Sequence, residues 1–313
     1  MSFLNPTPVP VRLYSHTDSE APQLPANDWT GALKTILKAC LVTGYGGKPG
    51  AGWTLREESD NKAIFRAGDP ATSPVELEVD SGNITITTFD LHWQGVKQGI
   101  VSNWSSGQLN RYTGVAGWHL VASARGFVLL PLARIGNSPL VAGLAYFGQP
   151  CSNLVDPGQQ DFLLWLAKNN NTNYLSDVPS ALANGGNVAW SSGSLRTTGK
   201  IGDGRNTALR CASAARAGSR RLPDNNDFGA VLYSEIYLHR AASYGRDNYA
   251  VSGRLPGLLV ASHRTVSDQT GDIVQVAGSP HRWLLTQQDV QLGYAAEGLD
   301  GLAVLVNIDE WVY

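Results

Sequence analysis

Apolar and polar residues alternate along much of this chain, a pattern that predicts β-strands. Residues 75–79 alternate in this way, and residues 84–86 do so again after a polar turn at 80–83. We expect these two runs to form a β-hairpin with one buried face. Residues 119–123 and 127–130 flank Ala-Arg-Gly, and the spacing predicts a second hairpin there.

One segment near the start of the chain has helical periodicity instead. Its apolar positions recur at the spacing of one helical face and are Leu33, Ile36, Leu37, Cys40 and Leu41. Asn27 and Asp28 are candidate N-caps, while Lys34 and Lys38 fall on the polar face. Gly44 stands where a left-handed residue commonly ends a helix, so we expect the helix to stop there.

Further apolar runs complete the predicted elements. Strands are predicted at residues 11–14, 230–239 and 303–308, and a short helix at residues 161–168. The expected fold is therefore mainly β with a short N-terminal amphipathic helix, an α+β combination. We expect its sheets to be antiparallel and sandwich-like, with long loops between strands.

Changes in composition divide the chain into four parts. Residues 1–28 contain a proline-rich stretch and are predicted to form an extended arm and a first strand. Residues 29–149 are predicted to hold the helix and a β domain. Residues 150–228, rich in Asn, Ser, Gly and Arg, are predicted to be a loop-rich region or an inserted lobe. Residues 229–313 are predicted to be a β region that completes the core.

The charge of the chain excludes two classes of partner. Charged residues make up 16% of the sequence and the net charge is −2, so no global field attracts nucleic acid or an anionic membrane. No apolar run is long enough to span a bilayer, and the first residues lack the pattern of a signal peptide. So few charges on a large protein are typical of a subunit whose surface is covered by neighbours.

No motif predicts catalysis, a cofactor or a metal. The glycine-rich stretch at residues 44–50 lacks the spacing of a phosphate-binding loop, and we interpret it as a helix stop followed by a tight connector. The three cysteines are widely separated and are interpreted as small buried apolar residues. Glu76 and Glu78 could in principle form an acid pair, but they fall on the outward face of a predicted strand. We therefore expect a protein that is not an enzyme.

Candidate interface residues come from three features of the sequence. Prolines in the arm lower the entropy lost on docking, arginines keep their geometry when they are partly desolvated, and the chain ends in an aromatic tip. An ion-paired surface between subunits is favoured for the arginines over nucleic-acid binding, because acidic residues follow them and aromatic residues are not interleaved. The candidates are Pro6, Pro8, Pro10, Arg216, Arg220, Arg221, Trp311 and Tyr313.

Several short segments, in this order, resemble a family of tailed-bacteriophage virion proteins from siphophages and myophages of Gram-negative hosts. The segments are Thr30–Trp53, Lys62–Arg66, Trp118–Ala122, Arg254–Gly257 and, more weakly, Gly278–Leu285. The sequence departs from the family at Ala124-Arg125-Gly126, where the family often has a more acidic turn. Members are structural, so the resemblance implies no catalytic residues.

The resemblance implies a place in a phage particle. The expected function is a non-enzymatic structural subunit, made in the host cytoplasm and assembled into the virion as a ring-forming component of the tail tip or baseplate. A capsid decoration or head-fibre protein is one alternative, and a module that binds carbohydrate on the host surface is another, since exposed tryptophans can stack on sugars. Expected partners are further copies of this chain, as a ring or a trimer, and other virion proteins, with a host glycan as a candidate ligand.

Overall fold

The computed structural model describes eighteen stretches of the chain. They are residues 7–23, 32–60, 62–70, 75–80, 84–85, 88–97, 100–102, 107–110, 115–135, 138–141, 144–152, 162–167, 193–198, 209–213, 233–240, 251–262, 270–287 and 302–313.

Seven antiparallel strands form a central sheet. They are β2 (Arg12–Ser15), β10 (Val115–Ala122), β11 (Gly126–Ile135), β12 (Ser138–Val141), β13 (Leu144–Gly148), β15 (Phe162–Ala167) and β16 (Gly193–Thr198). The order across the sheet is β16-β15-β13-β11-β10-β2, and β12 pairs with the far end of β11.

A second antiparallel sheet, the helix-side sheet, follows the helix in sequence. Its strands are β3 (Thr54–Glu58), β4 (Lys62–Arg66), β5 (Val75–Asp80), β6 (Ile84–Thr85), β7 (Thr88–Lys97), β8 (Ile100–Ser102) and β9 (Gly107–Asn110). The order is β3-β4-β5-β7-β6, with β8 and β9 also paired to the long strand β7.

The third sheet, the C-terminal sheet, has the order β17-β18-β19-β22-β21-β20, with β14 paired to β19. Its strands are β14 (Cys151–Ser152), β17 (Leu209–Ser213), β18 (Ser234–Arg240), β19 (Val251–Ser262), β20 (Ile273–Gln275), β21 (Arg282–Gln287) and β22 (Leu302–Asn307). A separate terminal ribbon pairs β1 (Pro8–Pro10) with β23 (Glu310–Val312).

Strands β10, β11 and β13 of the central sheet are buried on both faces, so the three sheets stack as layers. One face packs on the helix and the helix-side sheet through Tyr14, Leu120, Phe127, Leu129 and Phe147. The other packs on the C-terminal sheet through Val121, Val128, Leu130, Leu144 and Tyr146. Neighbouring residues in one strand thus serve different cores, which explains why residues 127–130 are continuously apolar.

The predicted helix forms α1 (Ala32–Lys38) and continues as a five-residue π-helix (Ala39–Thr43). Gly44 ends it with φ +75°, as predicted, and its N–H donates to Ala39 O at 2.8 Å. The wider turn lets two helical carbonyls bond outside the helix: Ala51 N donates to Cys40 O at 2.9 Å and Trp53 N to Leu41 O at 3.0 Å. The glycine-rich connector is thereby held along the helix end.

The structure confirms the mainly β, antiparallel fold and the hairpin of β10 and β11, where Ala122 pairs with Phe127. The hairpin predicted for residues 75–86 is wrong. β5 pairs instead with β7, from Val75↔Lys97 to Asp80↔His92, and β6 pairs with the start of β7. The ten-residue β7 offers β5 a longer ladder than the two-residue β6 can.

The helix predicted at residues 161–168 is also wrong, because this run is strand β15, paired with β13 and β16. A short, continuously apolar run fits either element, and only its partners decide between them. In the loop-rich region predicted for 150–228, the described strands extend the central and C-terminal sheets. Asn27 and Asp28, the predicted N-caps, lie outside the described residues.

Gly257 allows strand β19 to pass under the indole of Trp311. Its φ is +69°, and a Cβ at this position would lie 2.1 Å from Trp311 Cδ1. Trp311 is 0% exposed and its Nε1 donates to Asn307 O at 2.9 Å. The terminal ribbon is therefore fixed to the C-terminal sheet by a contact that requires glycine.

We predict that Gly257→Ala lowers the free energy of unfolding by about 2–5 kcal/mol, from backbone strain plus overpacking against the indole. Gly278→Ala is the matched control, because Gly278 has φ +80° and no atom of the described residues lies within 4 Å of its ideal Cβ. That control should lose only about 1–2 kcal/mol. Urea denaturation of both variants measures the difference, and equal losses would contradict the packing argument.

Candidate functional site

A network of ionisable side chains lies at the edge of the central sheet formed by β2. β2 pairs with β10 on one side only, with Leu13 opposite Val121 and Ser15 opposite His119. The backbone groups of Leu13 and Ser15 that face away from β10 are bonded by side chains. Ser15 N donates to Asp18 Oδ2 at 2.8 Å, and Leu13 O accepts from Lys48 Nζ at 3.1 Å.

We call Asp18, Tyr45 and Lys48 the edge cluster. Asp18 accepts from Tyr45 Oη at 2.8 Å and pairs with Lys48 Nζ at 2.6 Å, in addition to its bond with Ser15 N. Tyr45 and Lys48 come from the glycine-rich connector, whose own residues 45 and 48 form a small β-bridge. The connector thus places two side chains at the edge strand β2, which lies about thirty residues earlier in the sequence.

Side chains of β2 also bond backbone carbonyls of the connector. Tyr14 Oη donates to Pro49 O at 2.7 Å, and Arg12 Nη1 donates to Gly50 O at 3.1 Å. Side chains of each segment therefore bond backbone of the other. The edge of the central sheet is covered without another strand being added to it.

Electrostatics favour the ionised carboxyl of Asp18 and the phenol form of Tyr45 near neutral pH. Burial opposes ionisation of Asp18, but hydrogen bonds from Lys48, Ser15 N and Tyr45 outweigh it and hold the pKa of the carboxyl below its usual range. Burial, and then the bond to Asp18, raise the pKa of Tyr45. A tyrosine held in the phenol form cannot serve as a nucleophile or a general base at neutral pH.

Two histidines lie beside the edge cluster. His119 on β10 is 9% exposed, and its ring centroid is 5.8 Å from that of His16. His16 Nδ1–H donates to Trp118 O at 3.1 Å, whereas His119 Nδ1 has no hydrogen-bond partner among the described residues. Burial first, and then His16, lower the pKa of His119 to about 4, with Asp18 acting in the opposite direction.

A second polar group joins the β10–β11 turn to the end of the chain. Arg125 Nε bonds Asp69 Oδ2 at 2.7 Å, and its guanidinium lies 5.1 Å from the ring centroid of Tyr313. Ser123 Oγ is 3.0 Å from Tyr313 Oη. Arg125 is 9% exposed, so this ion pair acts inside the protein and links the central sheet to the loop after β4.

The structure places four of the eight predicted interface residues. Pro8 and Pro10 lie in β1, Trp311 in β23, and Tyr313 directly after it. Trp311 is 0% exposed because its indole packs in the chain's own core, so its prediction as an interface residue is corrected. Pro6, Arg216, Arg220 and Arg221 lie outside the described residues.

The prolines have a clear role in the ribbon. Thr7 and Tyr313 exchange backbone hydrogen bonds at 3.1 and 3.2 Å, and Val11 N donates to Asp309 O at 3.1 Å. By the alternation of an antiparallel ladder, the backbone of residues 8 and 10 faces away from β23. Proline at these two positions removes the outward N–H donors, so the outer edge of β1 cannot complete a ladder with another strand.

The tryptophans whose side chains the structure describes are buried and hydrogen-bonded within the chain. Trp53, Trp118, Trp283 and Trp311 are 0–6% exposed. Each Nε1 donates within the chain, to Ser123 O, Pro22 O, Ser279 Oγ and Asn307 O respectively. None of these four offers a stacking face to a sugar, so a glycan site would need tryptophans outside this set.

Other sequence-based expectations have clear outcomes. Cys40 is buried as predicted, Cys151 is only partly buried, and the side chain of Cys211 lies outside the described ones. Cys40 and Cys151 are free thiols, and burial raises the pKa of both, that of Cys151 to about 11. Glu76 and Glu78 lie on the outward face as predicted and pair with Arg56 at 3.1 Å and Lys62 at 2.9 Å.

Sequence reasoning missed the edge cluster. Its members are separated by up to thirty positions, and the available signal was the bulky polar pair Tyr45 and Lys48 inside an otherwise small-residue connector. In the part of the chain that the structure describes, no group of three or more His, Cys, Asp or Glu is arranged to hold a metal ion. None of the described helices has the length and hydropathy needed to cross a membrane.

Comparison with known proteins yields no assignment: no protein-family model matches the chain, and no curated protein matches it.

We predict that Asp18→Ala lowers the free energy of unfolding by roughly 1–3 kcal/mol, because it leaves Ser15 N–H, Tyr45 Oη and Lys48 without their shared acceptor. Glu57→Ala removes an exposed carboxylate from β3 and should change the free energy of unfolding by less than about 0.5 kcal/mol. Chemical denaturation at neutral pH compares the two. Similar small effects would mean that the edge cluster contributes nothing to stability.

Proposed function

We propose that this chain is a non-enzymatic structural subunit of a tailed-bacteriophage virion and occupies a ring in the tail tip or baseplate. The virion assignment rests on the resemblance of the segments named above. Those segments supply the helix and connector, β4, much of β10, and the part of β19 beneath Trp311. The helix and connector, β4 and the even-numbered residues of β10 share one core, and Leu255 of β19 lies with Val121 in the core on the other face of the central sheet.

The observation that carries the non-catalytic part of the proposal is the edge cluster. Its carboxylate, phenol and ammonium groups bond backbone groups of β2 or each other. Arg125 is likewise held by Asp69 and Tyr313. Groups that could perform chemistry are used here to position the chain, which is the pattern of a scaffold.

The treatment of strand edges supports a place in an ordered assembly. β1 is closed by prolines and β2 by the edge cluster, so uncontrolled edge-to-edge pairing is suppressed at both strands. A subunit built in this way meets its neighbours through side-chain surfaces, which a closed ring can repeat by symmetry. The low fraction of charged residues, 16%, suits a surface that such neighbours cover.

The assignment is tested by separating heads from tails of purified particles and quantifying this chain in each fraction by mass spectrometry. We expect stoichiometric recovery with tails, in a copy number set by the ring symmetry. Recovery with heads would replace the tail-tip position by capsid decoration. Absence from both fractions, with the major capsid and tail-tube proteins recovered as internal standards, would overturn the virion proposal.

The role of the N-terminal arm in assembly is tested by a deletion designed on the terminal ribbon. Removing residues 2–6 leaves β1 and its described bonds to β23 in place, whereas removing residues 2–10 also deletes Val9, which is 7% exposed. We expect the shorter deletion to keep the wild-type free energy of unfolding and to lose incorporation into particles. Normal incorporation of this variant would rule out an arm that docks on a neighbour.

A further inference from the structure

His119 is a buried imidazole at the junction of two sheets. It lies on β10 of the central sheet, is 9% exposed, and its Nδ1 has no hydrogen-bond partner among the described residues. Gly271, in the loop before β20 of the C-terminal sheet, lies beside the other ring nitrogen, since an ideal Cβ at Gly271 would be 3.6 Å from His119 Nε2. A buried polar atom without a partner costs free energy that an apolar side chain at this position would avoid.

Residues 270–275 cover His119 from the side of the C-terminal sheet, and we call them the lid. They comprise the loop that holds Gly271 and strand β20, a three-residue strand at the end of the sheet that pairs with β21. Ile273, the first residue of β20, is 52% exposed, and of the three side chains only the middle one is partly buried. A short edge strand with so little buried side-chain area has a low free energy of local opening.

Two backbone hydrogen bonds join the loop of the lid to the neighbouring strand. Gly271 N donates to Leu285 O and Leu285 N donates to Asp272 O, each at 2.9 Å. Leu285 is 0% exposed, so its backbone groups meet water only when the lid leaves β21. The amide of Gly271 therefore reports on the position of the lid.

We propose that the lid is an acid-operated closure over His119, which lifts from β21 when the imidazole takes up a proton while the rest of the C-terminal sheet stays paired. In the closed state the ring is neutral and buried beside Gly271. An imidazolium here would be a buried charge whose Nδ1–H has no acceptor among the described residues. Lifting the lid admits water to the ring, and hydration stabilises the charged form.

The charged groups around His119 determine the direction of the effect. The turn after β2 brings His16, which disfavours the charged form, and Asp18, which favours it, while the lid itself carries the exposed Asp272. The residues opposite His119 on β2 and β11 are a serine and a leucine, neither of which is charged. Burial is the largest influence and lowers the pKa of His119 to about 4, so the trigger is the desolvation of one ring.

The sign of the pH effect follows from linkage. The pKa of an exposed histidine is near 6.5, and that of His119 under the closed lid is about 4, so the open state binds more protons between these values. The closed state keeps its full advantage above about pH 6.5 and loses it progressively as the pH falls toward 4. For these two pKa values, the opening equilibrium shifts by roughly 60-fold between pH 7 and pH 4.5.

Hydrogen exchange on the full-length protein tests the lid without any mutation. The Gly271 amide is the reporter, and Val304, in the strand β22 between β19 and β21, supplies the reference amide. After correction for the intrinsic pH dependence of exchange, we expect Gly271 to lose protection by roughly 60-fold relative to Val304 between pH 7 and pH 4.5. Unchanged protection of Gly271 would overturn the proposal. Equal losses at the two amides would also overturn it, because acid would then unfold the sheet as a whole.

Two variants identify the trigger. In His119→Gln the side chain stays polar but takes up no proton in this range, so the relative protection of Gly271 should be the same at pH 7 and pH 4.5. His281→Gln is the matched control, because His281 lies 3.6 Å from Glu310, away from the lid contact, and its loss should leave the wild-type response intact. A wild-type response in His119→Gln, or loss of the response in His281→Gln, would overturn His119 as the trigger. His119→Asn supplies a second side chain that does not titrate if the glutamine variant fails to fold, and neither measurement depends on the place of this chain in a virion.

Discussion

Burial of strands β10, β11 and β13 on both faces of the central sheet is the constraint on which the rest of this structure depends. Consecutive residues of β10 and β11 point into two different cores, so neither core forms unless the central sheet is already in register. A shift of one residue would exchange the two sets of side chains and place Phe127 where Val128 packs. The short β10–β11 turn, stabilised by Ser123 Oγ accepting from Arg125 N and Gly126 N at 3.1 Å, fixes that register locally.

The chain closes the β2 edge of the central sheet and the β1 edge of the terminal ribbon by different chemistry. At β1 the outward N–H donors are missing altogether, because proline has no backbone N–H. At β2 it is a set of side-chain bonds centred on one carboxylate, Asp18. A missing donor cannot be restored by a change of conditions, whereas a hydrogen-bonded cap is held by a few contacts and responds to charge nearby.

The remaining polar interactions inside the body serve a common purpose, which is to join layers. Arg125 ties the central sheet to Asp69 in the loop after β4 of the helix-side sheet, and Trp53 Nε1 donates to Ser123 O at 2.8 Å between the same two layers. Trp311 joins the terminal ribbon to the C-terminal sheet. A body with its layers tied by buried polar contacts resists partial opening, because each broken contact leaves a buried group unpaired. Such resistance suits the virion subunit that we propose.

The sequence by itself determined what depends on neighbouring residues. Periodicity located α1, the glycine stop at Gly44 and the β10–β11 hairpin, since their bonds close within a few positions. Contacts between distant segments were decided by the tertiary structure alone. Residues 162–167 form a strand because β13 and β16 lie on either side of them. Likewise, β5 pairs with β7 and not with β6, which follows it directly in the sequence. The edge cluster and the His16–His119 pair likewise exist only after β2, the connector and β10 have met, because no local pattern encodes which distant backbone group a side chain will reach.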